Sequence, residues 1–111
     1  MKKQLSLSFL LLFPLMAIAD PIEIDGIYYN LIDGNSAEVT WNPNTYSGDI
    51  VIPDFVTCDG VKYSVTSIGN DAFLYCDQMT SVTIPNSVTT IGEYNQEIKG
   101  ETNVEIIPVS A

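Results

Sequence analysis

Ser64-Val65-Thr66-Ser67-Ile68-Gly69 returns as Ser87-Val88-Thr89-Thr90-Ile91-Gly92, at an offset of 87 − 64 = 23, with five of six positions identical and the sixth exchanging serine for threonine. Ile84-Pro85 returns as Ile107-Pro108 at the same offset, whereas the step from Ile52-Pro53 to Ile84-Pro85 is longer than one period. The excess falls in residues 57–63, where Asp59-Gly60 favours a tight hairpin turn. A period of roughly 20 to 30 residues fits one coil of a solenoid, each coil adding a short strand to a growing sheet.

Within the coil, Val82 and Ile84 alternate with Thr83, as a strand with one buried face requires, and Pro85 ends it because proline has no N–H for a ladder. Asn70 or Asp71 is suited to cap a helical turn through Ala72-Phe73-Leu74-Tyr75-Cys76. Val65, Ile68, Ala72, Phe73, Cys76, Met79, Val82 and Ile84 are the predicted core of the repeat.

The run from Ser64 to Gly92, SVTSIGNDAFLYCDQMTSVTIPNSVTTIG, resembles the BspA-type leucine-rich repeat, whose usual order is IG, AF, C, L, V, IP and SVT; Met79 takes the leucine place. Residues 25–53 resemble the N-terminal segments of such proteins in gut Bacteroidetes. The resemblance implies a secreted or surface-displayed repeat protein, with adhesion to matrix proteins or cells reported for some members, and no shared catalytic residues. The implied fold is mostly β with short helical turns: a small leucine-rich-repeat solenoid with an N-terminal β-hairpin cap. The next coil departs from the pattern. Adding 23 to Ala72, Phe73 and Cys76 reaches Asn95, Gln96 and Lys99, so the apolar side chains are lost while the register is kept. That coil reads either as a polar cap or as the remnant of a longer array.

Upstream, Ile27–Leu31 and Ala37–Trp41 alternate around Asp33-Gly34-Asn35, the pattern of a β-hairpin. The predicted organisation is therefore a signal peptide at 1–19, a hairpin cap and first strand at 20–56, an insertion loop at 57–63, the complete repeat and start of the next at 64–92, and a degenerate coil or cap at 93–111. Lys2 and Lys3, the apolar run Leu5 to Met16 and the small residues Ala17 and Ala19 compose the signal peptide, with cleavage before Asp20. The apolar run is too short for a membrane span, so the mature chain is read without a transmembrane segment. The predicted location is secreted or cell surface.

The 111 residues carry 14 acidic and four basic side chains and no histidine, a formal charge of −10. Without arginine or a lysine cluster, nucleic acid is not an expected partner. Absence of histidine removes Ser-His and Cys-His nucleophiles and imidazole metal ligands. Paired carboxylates run glycoside hydrolysis only when held across one cleft, and no spacing here ties a pair together. Asp20, Glu23 and Asp25 cluster at one end, and Glu93, Glu97, Glu101 and Glu105 recur at every fourth position at the other, but neither has the alternating acids and glycine turn of a calcium loop. Both read as solvated acidic surface, with no cofactor, metal site or catalytic residue assigned.

Cys58 and Cys76 allow one disulfide in an exported protein, yet Cys76 occupies a core position where a thiol serves as a small hydrophobe. Tyr28, Tyr29, Trp41 and Tyr46 concentrate in the N-terminal segment as a candidate binding surface for a protein or sugar, set against packing of the hairpin itself. The reading that follows is a non-enzymatic exported interaction protein for protein or cell adhesion. The alternatives are a truncated structural remnant or accessory module without its own ligand, and a carbohydrate-binding module. Weak self-association through the C-terminal strand edge is a further expectation.

Overall fold

The computed structural model describes residues 20–95 and 105–108. Among them nine strands follow in order: β1 (Ile22–Ile24), β2 (Ile27–Ile32), β3 (Ser36–Val39), β4 (Gly48–Val51), β5 (Phe55–Cys58), β6 (Val61–Ile68), β7 (Met79–Ile84), β8 (Thr90–Ile91) and β9 (Glu105–Pro108). No helix occurs among the described residues. The segment expected to form a helical turn is instead a chain of tight turns, with Leu74 N–H donating to Asp71 O at 3.2 Å and Cys76 N–H to Phe73 O at 3.2 Å. Asp71 (φ 64°) and Tyr75 (φ 63°) adopt the left-handed conformation, which breaks helical continuity at both ends of Ala72–Leu74.

Two sheets result. The first has the order β1-β2-β3-β6-β5, with β8 also pairing β6; the second has the order β4-β7-β9. β3, β6 and β8 are parallel neighbours, as are β4, β7 and β9. The chain therefore winds through three coils, β3 to β4, β6 to β7 and β8 to β9, each crossing from the first sheet to the second. Strand β3 is both the return of the antiparallel hairpin with β2 and the opening strand of the first coil. That dual role joins the hairpin cap to the solenoid without a linker.

Strand β6 uses its two edges differently along its length. One edge takes β3; the other takes β5 over Val61–Ser64 and then β8 at Ser67 and Ile68. The hairpin turn Asp59 (φ 52°) and Gly60 (φ 79°) folds β5 back along β6, and Asp25 (φ 52°) and Gly26 (φ 90°) join β1 to β2 in the same way. Positive φ at both central residues matches the right-handed twist of two-residue hairpins, hence Asp-Gly at both places.

Between the sheets lie Val65, Ile68, Ala72, Phe73, Cys76, Met79 and Val82 of the second coil, with Ala37, Val39, Tyr46 and Ile52 of the first. Ile84, also placed in the core from its spacing, is only partly buried at the end of β7. Coils stack closely because of glycine. Gly69 N–H donates to Val39 O at 2.8 Å and Gly92 N–H to Ile68 O at 2.7 Å, the same bond one coil further on. A Cβ on Gly92 would lie 2.3 Å from Asn70 Oδ1 and 2.6 Å from Asn70 N, which accounts for the Ile-Gly pair at the end of the repeated hexapeptide.

Candidate functional site

The four N-terminal aromatic residues do not form one surface. Tyr29 and Tyr46 are buried, Tyr28 is half-buried and Trp41 is exposed. Strand alternation turns Ile27 and Tyr29 inward together. Tyr46 lies outside a strand and is held by specific contacts: its ring packs against Phe73 with centroids 5.3 Å apart, its hydroxyl donates to Thr40 O at 2.7 Å, and it accepts the Tyr28 N–H at 3.0 Å. Burial is the main reason its hydroxyl pKa is pushed up to about 12. Tyr29 and Tyr46 are therefore core residues, and the expected four-residue binding surface is corrected accordingly. Ala17 and Ala19 lie outside the described residues, as do Gln96 and Lys99.

Cys58 and Cys76 are not joined by a disulfide. Cys76 is buried with its Sγ accepting the Tyr46 N–H at 3.3 Å, so the thiol ties the first coil to the second. Asn95, whose polarity reads in sequence as the loss of a core side chain, is fully buried. Its Oδ1 accepts the Phe73 N–H at 3.0 Å, and its Nδ2 donates to Gly69 O and Gly92 O, both at 3.0 Å. It satisfies the backbone of two coils in place of filling them with an apolar group.

Apart from Phe55 on β5, the exposed aromatic residues belong to the connections that leave the first sheet. Trp41 follows β3 and is 48% exposed, Tyr75 follows β6 at 73%, and Tyr94 follows β8 at 57%. One exposed aromatic side chain thus lies on each of these three connections, at positions that differ within the coil. The backbone causes the display at the second and third: Tyr75 and Tyr94 both have φ 63°, which turns each ring outward while Phe73, Cys76 and Asn95 point inward. Tyr94 stands one repeat period after Asp71, which has the same left-handed conformation. Sequence reading overlooked Tyr75 and Tyr94 because neither falls in the aromatic-rich N-terminal segment. An aromatic residue at a non-core position of the repeat was the available signal.

The charged groups are structural or solvated. Asp49 on β4 accepts hydrogen bonds from Thr80 Oγ1 at 2.7 Å and Ser81 Oγ at 2.8 Å on β7, and these donors hold its carboxyl below the usual range. Lys62 Nζ sits 4.1 Å over the Phe55 ring. Among the described residues no group of three or more His, Cys, Asp or Glu side chains is placed to hold a metal ion, and no helix is long and apolar enough to cross a membrane.

Known proteins share this architecture. Residues 58–107 match the family described as BspA type leucine-rich repeat region (6 copies). A leucine-rich repeat protein from Bacteroides ovatus ATCC 8483 is 34% identical, with a TM-score of 0.63 over 79% of this chain and 23% of its own. A leucine-rich cell surface protein from Faecalibacterium prausnitzii A2-165 is 26% identical, with a TM-score of 0.65 over 81% of this chain and 24% of its own. One from Bacteroides capillosus ATCC 29799, at 23% identity and a TM-score of 0.63 over 81% of this chain and 66% of its own, shares the fold. The chain spans about a quarter of the length of the first two. No curated relative matches it.

Proposed function

We propose that this chain, whose residues 58–107 match the BspA type leucine-rich repeat region, is a non-enzymatic, exported adhesion protein that engages a protein partner through its exposed aromatic residues. The observation that carries the reading is the exposure of Trp41, Tyr75 and Tyr94 on three successive coil connections. Large rings on a rigid backbone lose little entropy on binding and are over-represented among residues that dominate protein interfaces. They stand on successive connections of a stacked array, and stacked repeats offer extended binding surfaces. A sugar-binding reading is less supported, because two of the four aromatic residues that suggested it are buried.

Export rests on residues 1–19, and N-terminal sequencing of extracellular protein is expected to begin at Asp20; a start at Met1 overturns it. The interaction itself is tested by surface capture on immobilised extracellular-matrix proteins, comparing the protein with a Trp41→Ser, Tyr75→Ser, Tyr94→Ser variant. Loss of about 2 kcal/mol or more of binding is expected for the triple variant at unchanged melting temperature. Binding that survives all three substitutions removes these residues from the function. Self-association belongs to the same proposal: β9 pairs β7 on one side, and Ile107 is 38% exposed beside it. The acidic charge opposes association until salt screens it.

A further inference from the structure

The two sheets end differently on the N-terminal side of the solenoid. In the first sheet, β1 and β2 add to β3 as antiparallel strands and cover its outer edge. In the second, β4 is the end strand, and β7 is its one partner among the described residues. The hairpin cap therefore protects one sheet and leaves the other open. Gly48 N–H donates to Gln78 O at 2.9 Å and Ile52 N–H to Thr83 O at 3.0 Å, so residues 48, 50 and 52 direct their backbone groups to β7. In a parallel ladder the residues between them direct theirs the other way. The N–H and C=O groups of Asp49 and Val51 thus form the open edge. Space adjoins it: Val51 and Pro53, with Ile24 and Ile27 of the hairpin, line a cleft of about 400 Å³. An unpaired edge is a template for another strand, and addition of an extended peptide to such an edge is a recurring mode of recognition.

The side chains along the edge restrict which strand fits. Asp49 and Val51 are exposed, whereas Ile50 between them packs against the core. Thr80 and Ser81 both donate to Asp49 Oδ1, which fixes the carboxylate and leaves its Oδ2 without a partner among the described residues. An added strand therefore meets a held carboxylate, an inward-facing isoleucine and an exposed valine in succession. Opposite charges facing each other across a ladder are favourable and like charges unfavourable. A second copy is badly matched: Asp49, Ser81 and Glu105 stand in one row across β4, β7 and β9, so adding another copy's β9 in that register sets Glu105 beside Asp49. The surplus of 14 acidic over four basic residues attracts a basic partner at long range.

We propose that the open edge of β4 binds an extended basic segment of a partner protein by strand addition, with a lysine or arginine opposite Asp49, an apolar residue opposite Ile50 and a β-branched residue opposite Val51. Binding here uses none of Trp41, Tyr75 and Tyr94, and it stands or falls independently of them.

The probe is the peptide acetyl-Ser-Thr-Lys-Ile-Val-Thr-Ser-amide, titrated into the protein and followed by backbone amide NMR shifts and hydrogen exchange. In the free protein the Asp49 and Val51 amides should exchange faster than that of Ile52, which is bonded to Thr83 O. Saturating peptide should shift residues 48–52 and slow exchange at Asp49 and Val51. Replacing the peptide's lysine by glutamate should weaken binding about tenfold, and Asp49→Asn, which keeps an Oδ1 acceptor for Thr80 and Ser81, about two- to fivefold. N-methylation of the peptide at lysine and valine, or at isoleucine and the threonine after valine, should abolish binding for one alternate set and spare the other. An added strand turns only one set toward β4. These peptide changes leave the folding of the protein untouched. Asp49 and Val51 amides already protected in the free protein, protection that rises with protein concentration alone, no shifts at millimolar peptide, equal binding of the lysine and glutamate peptides, or equal effects of the two methylated sets would each overturn the proposal.

Discussion

The second and third coils open on the same backbone, through residues 72 and 95, and differ in what they place inside it. Gly69 and Gly92 make the same bond to the preceding coil, and Asp71 and Tyr94, one period apart, adopt φ 64° and 63°. In the second coil the next two residues are Ala72 and Phe73, both fully buried; in the third, Asn95 takes the alanine position and is buried just as completely. The apolar coil is held by removal of surface from water, whereas Asn95 is held by accepting from Phe73 and donating to Gly69 and Gly92. The path of a coil is thus specified by close-approach glycines and left-handed turn residues, and its interior accepts either a hydrophobic or a fully hydrogen-bonded occupant.

That comparison breaks first at Phe73. Truncation to alanine in a fully buried site is expected to cost about 3–5 kcal/mol, a large share of the roughly 5–15 kcal/mol that holds a small domain. Exposed Tyr94→Ala should change stability by less than about 0.5 kcal/mol. Urea titration of both variants checks the contrast, and equal effects would contradict the register that aligns the two coils.

Asn95 sharpens it next. Asn95→Ala strands the Phe73 N–H and the Gly92 carbonyl and leaves Gly69 O with only the Ala72 N–H, with an expected loss of about 3 kcal/mol from buried unpaired groups. Asn95→Leu should not recover that loss although it restores apolar volume. Full recovery by leucine would show that the third coil needs only filling. Gly92→Ala is expected to cost less, about 1–3 kcal/mol, because the backbone at Asn70 must move to admit the methyl. Gly69→Ala meets the flexible Glu38 carboxylate at 3.0 Å and should cost less again, measured as the difference in melting temperature between the two variants.

The smallest effect separates the first coil from the second and appears as a pH dependence. The Asp49 carboxyl is depressed by Thr80 and Ser81, so its stabilising contribution is present above the ordinary aspartate pKa of about 3.9 and fades as pH falls through its lower folded value. Asp49→Asn should flatten the acid limb of the stability profile. At the alkaline end the sign reverses for Tyr46: its folded pKa of about 12 lies above the ordinary value of 10.0, so its contribution is intact below pH 10 and lost as pH rises toward 12. Tyr46→Phe should shift the alkaline limb upward, read by thermal unfolding from just below the ordinary value of 10.0 up to about 12, the window those two values set.

Much of the architecture is legible in the sequence. The repeat period, the Ile-Gly pairs and the alternation in β2 and β7 point to a strand-rich solenoid with a hairpin at its start, and Phe73 stands out as an anchor because it is the bulkiest apolar side chain at a repeat position. The short helical turns did not form, because Asp71 and Tyr75 take a conformation that residue type alone does not announce. Strand β1 went unrecognised although Ile22-Glu23-Ile24 alternates before an Asp-Gly turn, since three residues carry too little pattern. The candidate site was legible only in part: Trp41 is an available ring, but composition could not separate it from Tyr29 and Tyr46, which the fold draws inward.

The sequence by itself determined the repeat length, the positions that must be glycine or apolar, the acidic charge and the absence of imidazole chemistry. These follow from local covalent constraints and from side-chain type, which are carried by each residue wherever it goes. Only the tertiary structure decided that β3 serves the hairpin and the first coil together, that Asn95 is a buried bridge, that Trp41, Tyr75 and Tyr94 are exposed while Tyr29 and Tyr46 are buried, and that the Tyr29 hydroxyl has no partner among the described residues. Each of those depends on which backbone groups and side chains arrive from distant parts of the chain, and the identity of a residue does not contain its neighbours in space.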